Sequence, residues 1–307
     1  MPLVTSKQLL ERAAQDHYAV GAFNANCMEQ VQAIVEAAHE ERAPVILQVS
    51  QGAIRYAGLA YAAGLVKIAA AQTDVPVVLH LDHGTDYQQN VRCLHAGFTS
   101  LMFDGSKLSF EENVAITKKI CDIAHIVGIP VEAELGRVAQ ADDKLTKEQV
   151  EALMTDPEQS VEFIRLTGAD TLAVACGSVH AMRCADAELD IARIKAVYEK
   201  VQIPLVLHGS SGVKASSIEE ALLYGMAKIN VATYLNEAFV YGIKEGLAKH
   251  PDSVDPRHSL TVARERVKER VREKIRLFKS NGRITAGGGF AEVPKQFRSA
   301  HLGSAEE

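Results

Sequence analysis

Eight short apolar runs, separated by longer amphipathic stretches, constrain what this chain can fold into more than any other feature. The runs fall at residues 20–23, 45–50, 77–82, 100–104, 131–135, 171–176, 204–208 and 228–233. Between them lie helical patterns such as 28–41, 110–127, 157–167, 191–200 and 217–224. Strand-length runs alternating with helical patterns are the mark of parallel βα units. Eight of them predict an α/β fold, a (β/α)8 TIM barrel, rather than an open doubly wound sheet. No run is followed by a G-x-G-x-x-G turn, which weakens a dinucleotide-binding reading. At 307 residues and 47% hydrophobic content, the chain can bury one large core of this kind.

Most of the runs end in polar or glycine-bearing signals: Asn24, Ser50, Asp82-His83-Gly84, Asp104-Gly105-Ser106, Glu134 to Gly136, His208-Gly209-Ser210 and Asn230 to Thr233. Barrel chemistry sits at the carboxyl ends of the strands, so this is the pattern a catalytic face produces. Glycines and short polar residues also simply make turns, which keeps a structural reading open. Residues 1–283 form one expected barrel domain with C-terminal helices, and 284–307 an irregular tail. The highly charged stretch 260–278 reads as a helix with a solvated face.

The formal net charge of -6 gives no electrostatic reason to expect nucleic acid or an acidic membrane surface as a partner. No apolar run has the length of a membrane span, and the N-terminus lacks the pattern of a secretory signal. Five cysteines, odd in number and without a CxxC pair, argue against a disulfide framework and for a reducing cytoplasmic setting.

Three histidines stand at run ends: in Val77-Val-Leu-His-Leu-Asp-His83, in Thr171-Leu-Ala-Val-Ala-Cys-Gly-Ser-Val-His180 and in Pro204-Leu-Val-Leu-His208. Three neutral imidazoles with a vacant fourth position are a catalytic zinc arrangement. Asp82, beside the first, would sit at the edge of a low-dielectric pocket and suit proton transfer, or else orient an imidazole. Glu132 and Glu134 are two apart on one expected strand and share a face. Glu134, at the mouth, is the better candidate for contacting metal, Glu132 for a structural ion pair, and Asp104 could reach the same ion. Gly209-Ser-Ser-Gly212 and Asn230-Val-Ala-Thr233 follow the seventh and eighth strands, where barrels commonly bind phosphate.

With Gly21-Ala-Phe-Asn24, Leu79-His-Leu-Asp-His-Gly84, Met102-Phe-Asp-Gly-Ser106, Val131-Glu-Ala-Glu-Leu-Gly136, Gly177-Ser-Val-His180, Leu207-His-Gly-Ser-Ser-Gly212 and Lys228-Ile-Asn-Val-Ala-Thr233, the chain resembles the class II, metal-dependent ketose-bisphosphate aldolases. That resemblance runs from about residue 1 to about residue 283. It implies Zn2+ on His83, His180 and His208, with Asp104 and Glu134 lining alternative metal positions. It implies Asp82 as the residue exchanging a proton with the C4 hydroxyl or the aldehyde oxygen. Ala181, Gly209, Ser211, Asn230, Ala232 and Thr233 would hold the dihydroxyacetone phosphate end, with a monovalent cation near the phosphate and Asn24 and Ser50 closer to the sugar. The implied partner is a phosphosugar, and similar proteins are homodimers or homotetramers. Zinc would act as a Lewis acid on the charge left by C3–C4 cleavage, so no Schiff-base lysine is required.

The chain also departs from the family's usual residues. Ala139-Gln140 replaces a Gly-Gly pair after the fifth strand, and Asp142 stands where a glutamate serves as base for the enediolate carbon. Ala181 replaces glycine, Cys184 a polar residue, Lys107 a histidine and Tyr234 an acid. The leading expectation is cleavage of fructose or tagatose 1,6-bisphosphate to dihydroxyacetone phosphate and a phosphorylated aldehyde. Two alternatives stay open: an aldolase for a ketose 1-phosphate with a different far end, and a sugar-phosphate-binding barrel without efficient catalysis.

Overall fold

The computed structural model describes residues 3–140, 143, 146–180 and 187–290. Among the described residues ten strands appear in chain order: β1 (Val20–Asn24), β2 (Val45–Ser50), β3 (Val77–Asp82), β4 (Leu101–Phe103), β5 (Val131–Leu135), β6 (Ala139–Gln140), β7 (Thr171–Val174), β8 (Val179–His180), β9 (Leu205–Leu207) and β10 (Met226–Val231). Eight form one parallel sheet in the order β3-β2-β1-β10-β9-β7-β5-β4. Its two edges meet at parallel bridges between His80 and Ser100 and between Gly84 and Phe103, and the Leu81 N–H donates to the Ser100 carbonyl at 3.1 Å. The sheet therefore closes into the expected eight-stranded barrel.

Two boundaries differ from the expectation in ways that matter. The eighth barrel strand begins at Met226 and ends at Val231, and Thr233 opens the helix Thr233–Lys249. Ala232 and Thr233 thus lie at a helix N-terminus, where unpaired N–H groups favour an anion. The second concerns His180, which is not on the sixth barrel strand, β7. It belongs to β8, which pairs only with β6 in a small ladder outside the barrel.

Inward-facing residues follow the period of two along each strand. At the amino ends lie Val20 and Ala22 on β1, Ile46 on β2, Val78 on β3 and Ala227 on β10. They form one apolar cluster with Leu9, Leu10, Ala13 and Ala14 of the helix Ser6–Gln15. That helix closes the amino end of the barrel. Further along the strands the interior turns polar: Gln48 and His80, two residues past Ile46 and Val78, are registered against each other, Glu132 is fully buried, and on β10 a register shift between Met226 and Lys228 brings the buried Lys228 directly after Ala227. Another two residues bring Ser50 opposite Asp82, with Glu134, His208 and Asn230 at the carboxyl end. The outward-facing residues of the same strands, such as Phe23, Leu47, Leu79, Leu172 and Ile229, pack against the surrounding helices.

Side-chain caps set several helix starts. Ser109 and Glu112 form a reciprocal capping box at Phe110–Ile126, and Asp156-Pro157 and Asp255-Pro256 open the helices Pro157–Thr167 and Pro256–Leu277. The charged C-terminal helix is present but starts at Pro256 instead of 260. Its buried side is Ala263, Val267, Val271 and Ile275, spaced by four. Within residues 284–290, Ile284 is buried, donates its N–H to the Arg42 carbonyl and pairs antiparallel with Phe290. The remainder of the expected tail, 291–307, lies outside the described residues. Among the described residues no single helix is long and apolar enough to cross a membrane.

Asp170 joins three elements beneath the barrel. Its carboxylate accepts from Lys7 Nζ on the N-terminal helix at 2.8 Å, from the Val131 N–H at 2.9 Å, and pairs with His125 Nε2 at 2.8 Å. Burial opposes its ionisation, but Lys7, the Val131 amide and His125 outweigh that and hold its pKa below the ordinary value. A carboxylate with a depressed folded-state pKa contributes stability above its unfolded pKa, and the contribution is lost as pH falls. Asp170→Asn is expected to lower unfolding free energy by about 1–3 kcal/mol near neutral pH. The difference between variant and parent should shrink below about pH 4, measured by urea denaturation across pH. A difference that does not change with pH would remove the ion-pair explanation.

Candidate active site

His83 follows β3 directly, His208 follows β9 directly, and His180 reaches in from β8. Their ring centroids lie 4.7 Å (His83–His208), 5.4 Å (His83–His180) and 6.0 Å (His180–His208) apart. One ligand atom from each lies within 4.8 Å of the others, and the same holds for His83, Asp104 and Glu134. The two groups share His83. This brings together all five residues that the sequence reading placed on metal.

Backbone shape contributes to that convergence. His83 has φ of +50°, a left-handed conformation that a non-glycine residue adopts only where its surroundings impose it. Gly209 also has positive φ, at +64°, and a Cβ there would fall 2.8 Å from the Val179 carbonyl carbon and 3.0 Å from the His180 nitrogen. Only glycine lets the end of β9 approach the β8 segment so closely. Gly209 thus sets the position of His180 relative to His208, besides lining the cavity.

The ring nitrogens and carboxylates form a connected set. His83 Nδ1 bonds Asp104 Oδ2 at 2.8 Å, and Asp104 also accepts from the Ser106 N–H and hydroxyl. His208 Nε2 bonds Glu132 Oε1 at 3.0 Å, while its Nδ1 lies 3.3 Å from Glu134 Oε2 without hydrogen-bond geometry. Both of those last atoms are buried and otherwise unpartnered. Asp82 Oδ2 accepts from Asn24 Nδ2 at 2.7 Å, and Asn24 Oδ1 in turn accepts from Gln48 Nε2. Asn230 Nδ2 approaches the other Asp82 oxygen at 3.4 Å. The expected ion-pair residue, Glu132, pairs with Lys228 Nζ at 2.9 Å.

Charge in this cluster is unbalanced. Asp82, Asp104, Glu132 and Glu134 face one lysine, and the imidazoles respond. Burial disfavours a proton on His83, but Asp82, the bond to Asp104, and Glu134 outweigh it and lift the ring to about 10. Burial and the neighbouring His208 and His83 press His180 down to about 3. Asp82 and Asp104 stay well ionised despite burial, held down chiefly by His83. A divalent cation would supply the positive charge that His83 carries here, and the donor set of imidazole and carboxylate suits zinc. The two orphaned buried atoms on His208 and Glu134 point the same way, since such atoms ordinarily have partners. The residues present fit a metal.

A cavity of about 270 Å³ opens beside the histidines, lined by Asn24, Ser50, Asp82, His83, His180, Gly209, Ser211, Asn230, Ala232 and Thr233 among others. Every described residue expected to contact phosphate or sugar therefore faces one space. Asp142, Ala181 and Cys184 lie outside the described residues. The lining also includes Ser210, from the Gly209–Gly212 motif, and Asn26 and Asn236, which the motifs did not single out. Ser210 is buried and its hydroxyl donates to the Asn230 carbonyl, fixing the loop after β9 to β10. Asn236 Oδ1 accepts from Asn26 and Gln30 at 3.1 Å each. The period of two could have flagged His80 and Lys228, each two residues before a cavity residue. Tyr234, by contrast, faces a separate groove: its hydroxyl donates to Glu273 and Arg270 lies over its ring. Lys107 is solvent-exposed.

Residues 4–283 match the family model described as fructose-bisphosphate aldolase class-II. The chain is 41% identical to a fructose-bisphosphate aldolase of Thermus caldophilus, over 92% of this chain and 99% of the relative. It is 39% identical to a protein of Klebsiella oxytoca called D-tagatose-1,6-bisphosphate aldolase subunit GatY, over 92% of this chain and all of that one. Among solved structures, the YdjI aldolase from Escherichia coli K12 superposes with a TM-score of 0.80 at 35% identity, covering 91% of this chain and 98% of that chain.

Zinc that binds only the folded chain must raise its apparent stability, by about 2.7 kcal/mol when free metal is at a hundred times Kd. Adding zinc to chelator-treated protein is therefore expected to raise the thermal midpoint. His208→Ala should abolish both that rise and the zinc retained after gel filtration. Undiminished zinc content in His208→Ala would remove His208 from the ligand set.

Proposed function

The chain belongs to the class II fructose-bisphosphate aldolase family and is a lyase; from that premise we propose that it is a zinc-dependent aldolase reversibly cleaving a ketose 1,6-bisphosphate. The products would be dihydroxyacetone phosphate and a phosphorylated aldehyde such as glyceraldehyde 3-phosphate. The observation that carries the reading is the juxtaposition of His83, His180 and His208 with Asp82 on the wall of one polar cavity. Zinc held by the three histidines would supply Lewis-acid stabilisation of the negative charge that develops when the C3–C4 bond breaks.

The chain's own residues do the rest. Asp82 is fixed by the Asn24 amide and remains ionised, so it can take the C4 hydroxyl proton in cleavage and return it in the condensation direction. Asn24 and Ser50 stand beside Asp82 and would orient the sugar hydroxyls. Gly209 and Ser211, on the loop after β9, and Thr233, opening the helix after β10, would hold the dihydroxyacetone phosphate end. That helix start supplies unpaired N–H groups and a favourable dipole for phosphate. Asn230 and Ala232 border the same region, Ala181 is assigned to it from the family resemblance alone, and a monovalent cation would sit beside the phosphate. Asp104 and Glu134, sharing His83 with the three-histidine group, offer the metal a second position. Asp142 is proposed from the family resemblance as the base for the dihydroxyacetone phosphate carbon.

Lys228 is buried in an ion pair with Glu132, which argues against its use as a Schiff-base nucleophile. The reading includes a cytoplasmic setting and a homodimer or homotetramer. Supporting assembly, Val240, Tyr241 and Leu247 are exposed on the helix Thr233–Lys249.

A panel of ketose 1-phosphates and 1,6-bisphosphates on zinc-loaded protein tests the reading and assigns stereochemistry. Fructose or tagatose 1,6-bisphosphate should turn over fastest; faster turnover of a substrate with an uncharged, carboxylated or sulfonated far end would overturn the bisphosphate assignment. Asp82→Ala should lower kcat by roughly 10²–10⁴-fold with zinc retained. Asp142→Ala should keep stoichiometric zinc while slowing exchange of the dihydroxyacetone phosphate proton with solvent. Parental exchange rates in that variant would sink the base assignment.

A further inference from the structure

Beneath the candidate metal ligands lies a buried polar chain that the proposed reaction does not itself use. Its centre is Glu132, fully enclosed, whose carboxylate meets Lys228 Nζ at 2.9 Å through one oxygen and 3.2 Å through the other. Oε1 also accepts from His208 Nε2 at 3.0 Å. Oε2 lies 3.7 Å from His80 Nε2, a buried atom with no other partner. His80 Nδ1 bonds the Ser100 hydroxyl at 2.8 Å, and Ser100 bonds the Ser6 hydroxyl at 2.9 Å. Ser6 begins the helix that closes the amino end of the barrel. A file of polar groups thus runs from that helix to His208, hydrogen-bonded except across the 3.7 Å between His80 Nε2 and Glu132.

A carboxylate can only accept, so a hydrogen bond between Glu132 and His208 Nε2 requires that nitrogen to carry the proton. The lone pair available for coordination is then on Nδ1, the buried and unpartnered atom that faces Glu134. Lys228 makes a second orienting bond, donating to Asn230 Oδ1 at 2.7 Å. That bond decides which way the Asn230 amide turns, and its Nδ2 faces Asp82. One buried ammonium group therefore fixes the orientation of groups on both sides of the cavity.

We infer that Glu132 and Lys228 are positioning residues: Glu132 accepts the hydrogen bond from His208 Nε2–H and so presents Nδ1 to the metal, while Lys228 locks Glu132 and turns the Asn230 amide toward Asp82. The inference rests on His208 being a metal ligand. Altering the partner that orients a ligating imidazole typically costs roughly 10- to 100-fold in metal affinity. Lys228 and Glu132 compensate each other's charge in the barrel interior, so either one removed alone leaves an unpaired buried charge. The paired replacement, Glu132→Met with Lys228→Met, removes both charges and the acceptor for His208 Nε2–H while keeping similar side-chain lengths.

Two measurements test this. In the unaltered protein loaded with cadmium and labelled with 15N-histidine, nitrogen–metal coupling should appear at His208 Nδ1, with a proton retained on Nε2. Coupling at Nε2 would overturn the inference without any variant being needed. In the double variant, zinc affinity read by competition with a chromogenic chelator should fall roughly 10- to 100-fold, and kcat should stay depressed at saturating zinc. Parental zinc affinity in a folded double variant would also overturn it. His208→Ala separates the two levels. If it binds zinc as the parent does, the metal-site reading itself fails; if it loses zinc while the double variant keeps it, only the positioning role fails.

Discussion

The Lys228–Glu132 ion pair is the interaction on which the rest of the barrel interior depends. Both side chains are taken out of water, at a solvation cost of several kcal/mol per ion that their attraction only roughly offsets. Stability alone does not account for such a pair. What it does is terminate the apolar layer sealed by the N-terminal helix and begin the polar layer that faces the cavity. Glu132 reaches His208 from it, and Lys228 reaches Asn230. Replacing the pair by apolar residues would keep a packed barrel and leave His208 and Asn230 free to choose their orientation.

Charge excess defines the next level. Four carboxylates converge near three histidines, and the imbalance is met by holding His83 protonated far above its ordinary pKa. A proton is a poor substitute for a dication, because it satisfies one nitrogen and leaves His208 Nδ1 and Glu134 Oε2 facing each other unpartnered. The strained backbone at His83 and the close approach at Gly209 impose this arrangement before any metal binds. The site is therefore preorganised by the fold.

Much of this was legible in the chain because parallel strands write their interior with a period of two. Val78, His80 and Asp82 occupy successive interior levels of one strand, and Ile46, Gln48 and Ser50 those of its neighbour. That periodicity made the barrel and the carboxyl-end histidines readable. It failed where an element left the barrel. His180 sits six residues beyond the last residue of β7, on a two-residue ladder whose partner is distant in sequence, and no local pattern announces such a pairing. Thr233 read as strand because the apolar run continues through Val231 and Ala232, and the helix that follows has no capping side chain to mark it. The helix Ser6–Gln15 has a plain amphipathic pattern; what it covers is a tertiary fact.

The residues that depart from the family pattern separate on the same physical grounds. Tyr234 is drawn away from the cavity by Glu273 and by the cations over its ring, so it shapes the outer groove instead of the substrate space. Ala139 and Gln140 stand in the opposite situation. They form β6, and Gln140 is registered directly against His180. Glycines favour the unfolded, flexible state of such a segment, whereas residues with a Cβ lose less entropy on joining a ladder. Here the loop after β5 and the segment that carries a candidate metal ligand share backbone hydrogen bonds. Movement of one is mechanically tied to the other, so the substitution acts on the position of His180 as much as on the loop.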